Sequence, residues 1–158
     1  MKEEIIKALK EKNTLLSKLE DICKKMNTDD IDELSTFDDQ RMEIIEELKK
    51  LDEHVNSIYE NANDADIISR VISNEEDVSS VPKEYLPIYE CSKENFKIIA
   101  RLISFQEEYN HHLENLMDSL QDEIKENQKS GKVAKYLNAL DDQMAPAGSL
   151  LSLGSRKA

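Results

Sequence analysis

Apolar residues recur in steps of three and four along most of this chain, the spacing of one face of an α-helix. In the first stretch Ile5, Leu9, Leu16, Leu19, Cys23 and Met26 lie on one such line, with Lys12 its one polar member. A helix is predicted from about Lys2 to Met26. Asn27-Thr28-Asp29-Asp30 breaks the pattern. Asp30 followed by Glu33 resembles a capping box with Asp in the Ser/Thr role, and acids in a first turn suit the helix dipole. A second helix is predicted from about Ile31 to at least Ala62. Its seam is Leu34, Phe37, Arg41, Ile44, Leu48, Leu51, Val55, Ile58 and Ala62, with only Arg41 polar. So short a break between the two predicts an antiparallel pair. Ile67, Ile68, Val71 and Ile72 either extend the second helix or form a short one of their own.

Ser73 to Glu90 is the least regular stretch. Pro82 and Pro87 bracket Tyr85 and Leu86, and the segment reads as a crossover that packs Tyr85, Leu86, Ile88 and Tyr89 on the bundle. A third helix is predicted from an N-cap at Ser92 to a stop near Gly131. Phe96, Ile99, Ile103, Gln106, Asn110, Leu113, Met117, Leu120 and Ile124 form one stripe, and Ile98, Leu102, Phe105, Tyr109 and Leu116 a second beside it. A face this wide can touch two helices, so the third helix is predicted to be the central one. Gln106 and Asn110 either fix register, as buried amides do in coiled coils, or sit at a wet edge.

After Gly131 the pattern changes. Lys132 to Asp142 can form a short helix carrying Val133, Tyr136, Leu137 and Leu140. From Gln143 to Ala158 there is no acid, and Pro146, Gly148 and Gly154 oppose a stable helix. Leu150, Leu151 and Leu153 are apolar there, which suits a tail that folds on a partner; the alternative is an unused terminus. The expected fold is all-α: an elongated antiparallel helical hairpin or three-helix, coiled-coil-like bundle over residues 1–131. Residues 132–158 would form a short helix and a flexible C-terminal segment.

Composition narrows the function. Asp and Glu outnumber Lys and Arg 34 to 21, a formal charge of −13, which repels a phosphate backbone and an anionic membrane surface. No nucleic-acid partner and no membrane insertion is expected. The first of three glycines is Gly131, so a glycine-rich phosphate loop has no place in the preceding 130 residues. Cys23 and Cys91 have no CxxC partner and read as small apolar residues of a reducing compartment. The N-terminus runs straight into amphipathic helix, and a cytoplasmic protein is expected.

Glu108-x-x-His111 has the spacing of carboxylate-bridged di-metal bundles, which need a second such motif. His54 lies three positions after Leu51, so that second copy is missing and no metal or other cofactor is expected. His111 and His112 are expected on a polar helix face beside Glu107, Glu108 and Glu114. No nucleophile constellation appears, and the chain is expected not to be an enzyme. A metal–carboxylate enzyme would instead carry bound iron or manganese.

The break Asn27-Thr28-Asp29-Asp30-Ile31-Asp32-Glu33-Leu34, the following helix Arg41-Met42-Glu43-Ile44-Ile45-Glu46-Glu47-Leu48, and the run Gly131-Lys132-Val133-Ala134-Lys135-Tyr136 together resemble the FlgN family of flagellar export chaperones. Asp29 stands where that family often has glycine, and Arg156-Lys157 matches its basic tail loosely. The FliT class of export chaperones is equally compatible with the helices. The resemblance implies a cytoplasmic type III export chaperone. It would bind hook-filament junction proteins of the FlgK/FlgL type and carry them to the export gate. The client-binding residues it implies are Val133, Tyr136, Leu137, Leu140, Leu150, Leu151 and Leu153, with Tyr136 facing the gate. Val133, Tyr136, Leu137 and Leu140 can equally be core residues packed on the first two helices. A structural coiled-coil adaptor or homodimer without a client is the alternative function.

Overall fold

A computed structural model describes residues 1–127, and the side chains of residues 1–125. The described chain is a helical bundle with no strand among the described residues. α1 spans Lys2–Lys25, α2 Ile31–Tyr59, α3 Ala65–Ile72 and α4 Leu86–Asn127, with two short 3₁₀ turns at Val78–Ser80 and Lys83–Tyr85.

Chain direction follows from which residues share a core. Ile5 packs in one cluster with Val55 and Ile88, and Met26 in another with Leu34 and Leu113. α2 therefore runs back along α1, and α4 runs in the same direction as α1. α1 packs directly along both long partners. The α2 and α4 backbones stay apart, and side chains such as Arg41 bridge them to reach Gln106. The central helix is thus α1, not the last helix as its two stripes suggested. The second α4 stripe is used in packing around the same cores rather than on a further helix.

Local chemistry sets the boundaries. Asp30 caps α2, its Oδ1 accepting from the backbone N–H of Asp32 at 3.0 Å and of Glu33 at 3.2 Å. The reciprocal half of a capping box is routed through Thr28: its hydroxyl donates to Glu33 Oε2 and accepts from the Asp30 N–H. α2 ends at Tyr59, not beyond Ala62, and Ile67 to Ile72 belong to the separate α3. Past α3, Asn74 adopts a left-handed φ of 53°. Its N–H reaches the Val71 carbonyl while that of Glu75 reaches Arg70, the paired closure that asparagine tolerates at a helix end.

α4 begins at Leu86, not at Ser92. Pro87 is its second residue, where the missing N–H costs nothing and the fixed φ suits the helix. Ser92 therefore lies inside α4 as a 3% exposed residue, and its hydroxyl donates to the Ile72 carbonyl instead of capping. The connecting segment does pack on the bundle: Tyr85, Ile88 and Tyr89 are buried, and Tyr85 donates to Asp64 at 2.6 Å. The predicted end near Gly131, the short helix Lys132 to Asp142 and the tail lie outside the described residues.

The base of α4 is level with the start of α1, since Lys2 sits 4.5 Å over the Tyr85 ring and pairs with Glu84. α4 has 42 residues and α1 has 24. At 1.5 Å per residue, α4 therefore extends about 27 Å farther at the other end.

Candidate functional site

Charged and amide side chains divide the apolar core into three. Between the cluster around Ile5, Leu9 and Val55 and the cluster around Leu16, Leu48 and Ile99 lies a polar layer of Lys12, Asp52 and Asn95. Each follows or precedes its apolar neighbours by a helical step, so all three long helices turn a polar residue inward at one level. Lys12 Nζ bonds Asp52 Oδ1 at 2.8 Å, with both side chains about nine-tenths buried. Asn95 Nδ2 donates to the Leu9 carbonyl at 3.0 Å. A cavity of about 50 Å³ adjoins this layer, lined in part by Lys12, Asp52, Ser92 and Asn95.

A second polar layer separates the middle cluster from the one around Met26 and Leu113. Arg41 is 1% exposed. It bonds Asp38 at 2.6 Å and Gln106, and its guanidinium lies 5.2 Å over the Tyr109 ring. Gln106 in turn donates to Asn110 at 3.0 Å. Gln106 is thus in a buried contact between α2 and α4, while Asn110 is half-buried and its bond to Gln106 lies within α4. Burial raises the Asp38 carboxyl above its usual range against the opposing pull of Arg41. Burial also raises the Tyr109 phenol.

Beside that layer, the last turn of α1 and the face of α4 enclose a groove of about 210 Å³. Cys23, Met26, Phe105 and Tyr109 give it an apolar, sulfur-rich wall, and Glu108 and His112 its polar rim. Burial pushes the Cys23 thiol up to about 11, so the sulfur is a protonated, apolar group at neutral pH and not a nucleophile. His112 Nε2 lies 2.7 Å from the Thr28 carbonyl and 3.6 Å from Asp29. It therefore faces the α1–α2 turn, while His111 stays exposed. Glu108 and His111 gather no further ligand: among the described residues no three His, Cys, Asp or Glu come together in a way that could hold a metal ion.

The client-binding candidates Val133, Tyr136, Leu137, Leu140, Leu150, Leu151 and Leu153 all lie outside the described residues. The buried polar set is what the pattern missed. The line Leu34, Asp38, Arg41, Ile45, Leu48, Asp52, Val55, Tyr59 is buried. It shares Leu34, Arg41, Leu48 and Val55 with the predicted seam and takes Asp38, Ile45, Asp52 and Tyr59 where the seam has Phe37, Ile44, Leu51 and Ile58. Asp38 and Asp52 interrupt its apolar pattern. The available signal was Lys12 and Arg41 inside otherwise apolar seams, since a buried cation requires an anion opposite.

No protein family, curated protein or solved structure matches this chain. No helix among the described residues is long and apolar enough to cross a membrane.

Proposed function

We propose that this protein is a non-enzymatic, helical protein-binding chaperone of the flagellar type III export kind, serving hook-filament junction proteins of the FlgK/FlgL type. The observation that carries the reading is the length of α4. It extends about 27 Å farther than α1; Leu116, Met117 and Leu120 there pack in part against the cluster around Met26 and Leu113, and half-buried Ile124 lies beyond them. The helix leads directly to the residues that the FlgN resemblance marks for client binding. A client segment with an amphipathic helix could dock along such a surface. A charge of −13 keeps the chaperone itself from aggregating while apolar surface is offered. Coiled-coil-like packing of three long helices and a cytoplasmic location belong to the same reading. The alternating spacing of the buried positions in α2 supports the first of these.

The homodimer alternative has less support. Of the large apolar side chains exposed among the described residues, Met1 precedes α1, Met42 lies on α2 and Val78 on the first 3₁₀ turn, where a stable symmetric interface wants one contiguous patch.

Co-purification tests the proposal. The tagged chain is expressed in a flagellated host and its partners identified. Recovery of a hook-filament junction protein, lost on deleting residues 132–158, is the expected result. Recovery of a filament-cap protein moves the assignment to the FliT class. A stable dimer of the chain with no other partner overturns it.

A further inference from the structure

We propose that the trough between α2 and α4, on the side away from α1, is a docking site for one amphipathic helix of a partner protein, with lysines or arginines along both flanks. α1 packs along both α2 and α4, whose backbones stay apart. This is how three neighbours sit in a square four-helix bundle, with α2 and α4 on its diagonal. The fourth place is filled only at the base. α3 starts beside Tyr85, which bonds Asp64, and ends beside Ser92, which bonds the Ile72 carbonyl. It therefore runs along α4 for about two turns and stops. Ile72 and Ser73 at its end border the cleft beside Lys12, together with Asn56 of α2 and Phe96 of α4.

Past that cleft, no fourth helix covers the trough among the described residues. Seven residues are close to two helical turns, so Lys49 and Met42 continue the line of Asn56, and Ile103 and Asn110 that of Phe96. Arg41 and Gln106 bond across the gap, which puts Met42 and Ile103 at about one level. Met42 is 39% exposed, and Phe96 and Ile103 are half-buried, an apolar floor that suits an apolar helix stripe. From Asn56 back to Ile31 the trough runs about 37 Å. The short helix predicted over Lys132 to Asp142 would span about 16 Å, under half of that.

The rims select the partner. Asp39, Glu46 and Glu53 stand one turn from the α2 line, and Glu107 and Glu114 one turn from the α4 line, all five exposed. Lys49 on the floor and Lys93 at the foot oppose them. The surplus of carboxylates attracts a basic helix. It repels a second copy, whose free α4 end carries Asp118, Asp122 and Glu123 against Lys125.

The test uses the full chain with labelled methionine and isoleucine methyl groups. The probe is a synthetic peptide of about six helical turns, with leucines on one face and lysines on both flanks. Saturable shifts of the Met42 and Ile103 methyl signals are expected. Binding about tenfold weaker is expected in Met42→Ser, from the lost apolar contact, and weaker binding in Glu46→Lys with Glu107→Lys. These variants change exposed side chains. The same peptide with glutamates for lysines is expected not to bind. No binding of the lysine peptide, binding that leaves both methyl signals unmoved, or equal binding by the two peptides or by Met42→Ser overturns the proposal. So do concentration-dependent shifts in the free chain, which would seat a second copy in the trough. Contacts from residues 128–158 to Met42 would fill it from within and overturn it too. None of these outcomes bears on the chaperone reading, since the peptide is not a flagellar client and residues 132–158 are left in place.

Discussion

Lys12 and Asp52 each occupy a position that every rule of patterning gives to leucine. Held apart, either would be a charge taken out of water with nothing to replace its hydration, and the folded state tolerates them because they meet at 2.8 Å. The pair is asymmetric under mutation. Asp52→Ala strands the Lys12 ammonium and is expected to cost about 3–5 kcal/mol, read by urea denaturation. Replacing both together, Lys12→Met with Asp52→Leu, is expected to recover most of that loss, because two apolar side chains of similar size need no partner. A double variant as unstable as Asp52→Ala would place the stability in the packing of these positions rather than in the ion pair. Arg41 is the same problem solved with more partners: a carboxylate, an amide and an aromatic face surround one guanidinium.

At the scale of elements, boundaries are decided by single polar contacts. α2 starts where Asp30 satisfies two backbone N–H groups that would otherwise have no partner. Asp30→Ala is expected to cost about 1 kcal/mol, seen as a lower denaturation midpoint. Thr28→Val is expected to add less than its own separate effect when combined with it, because Thr28 acts through the Asp30 N–H and Glu33. Strict additivity of the two would mean that Thr28 stabilises the turn by another route. The early start of α4 follows similar logic. Pro87 fell in the stretch read as a crossover, yet in a first turn proline is compatible with helix, and the buried Tyr85, Ile88 and Tyr89 draw that turn onto the bundle.

For the whole molecule, an acidic chain must hold its carboxylates near cations or in water. Glu20 on α1 meets Arg101 on α4 through two bonds. The Arg101 hydrogen bonds hold the Glu20 carboxyl below its ordinary value of 4.5. The charged form is therefore favoured by folding. Its stabilisation is full above 4.5 and is lost as pH falls through the depressed folded value. Asp38 has the opposite sign: burial raises it, so acid relieves a cost there. Glu20→Gln is expected to flatten the fall in Tm below pH 4.5 relative to wild type, measured by thermal melts across pH. An unchanged acid limb would assign that fall to other carboxylates.

Helix type was legible because it rests on spacing alone. Alternating steps of three and four, with no glycine before Gly131 and few prolines, leave a chain little choice but helices. The cap at Asp30 was readable for the same reason, being a contact within six residues. Which helix became central, and which of two adjacent lines faced inward, depended on contacts between residues far apart in the chain. Lys12 meets Asp52 across 40 residues, and Arg41 meets Gln106 across 65. A charge in a seam announces that it needs a partner but not where that partner lies. Asp38 reaches Arg41 within one turn of α2, but only packing of the helices brings Asp52 to Lys12 and Gln106 to Arg41, and with them the polar layers, the cavity beside Asn95 and the central place of α1.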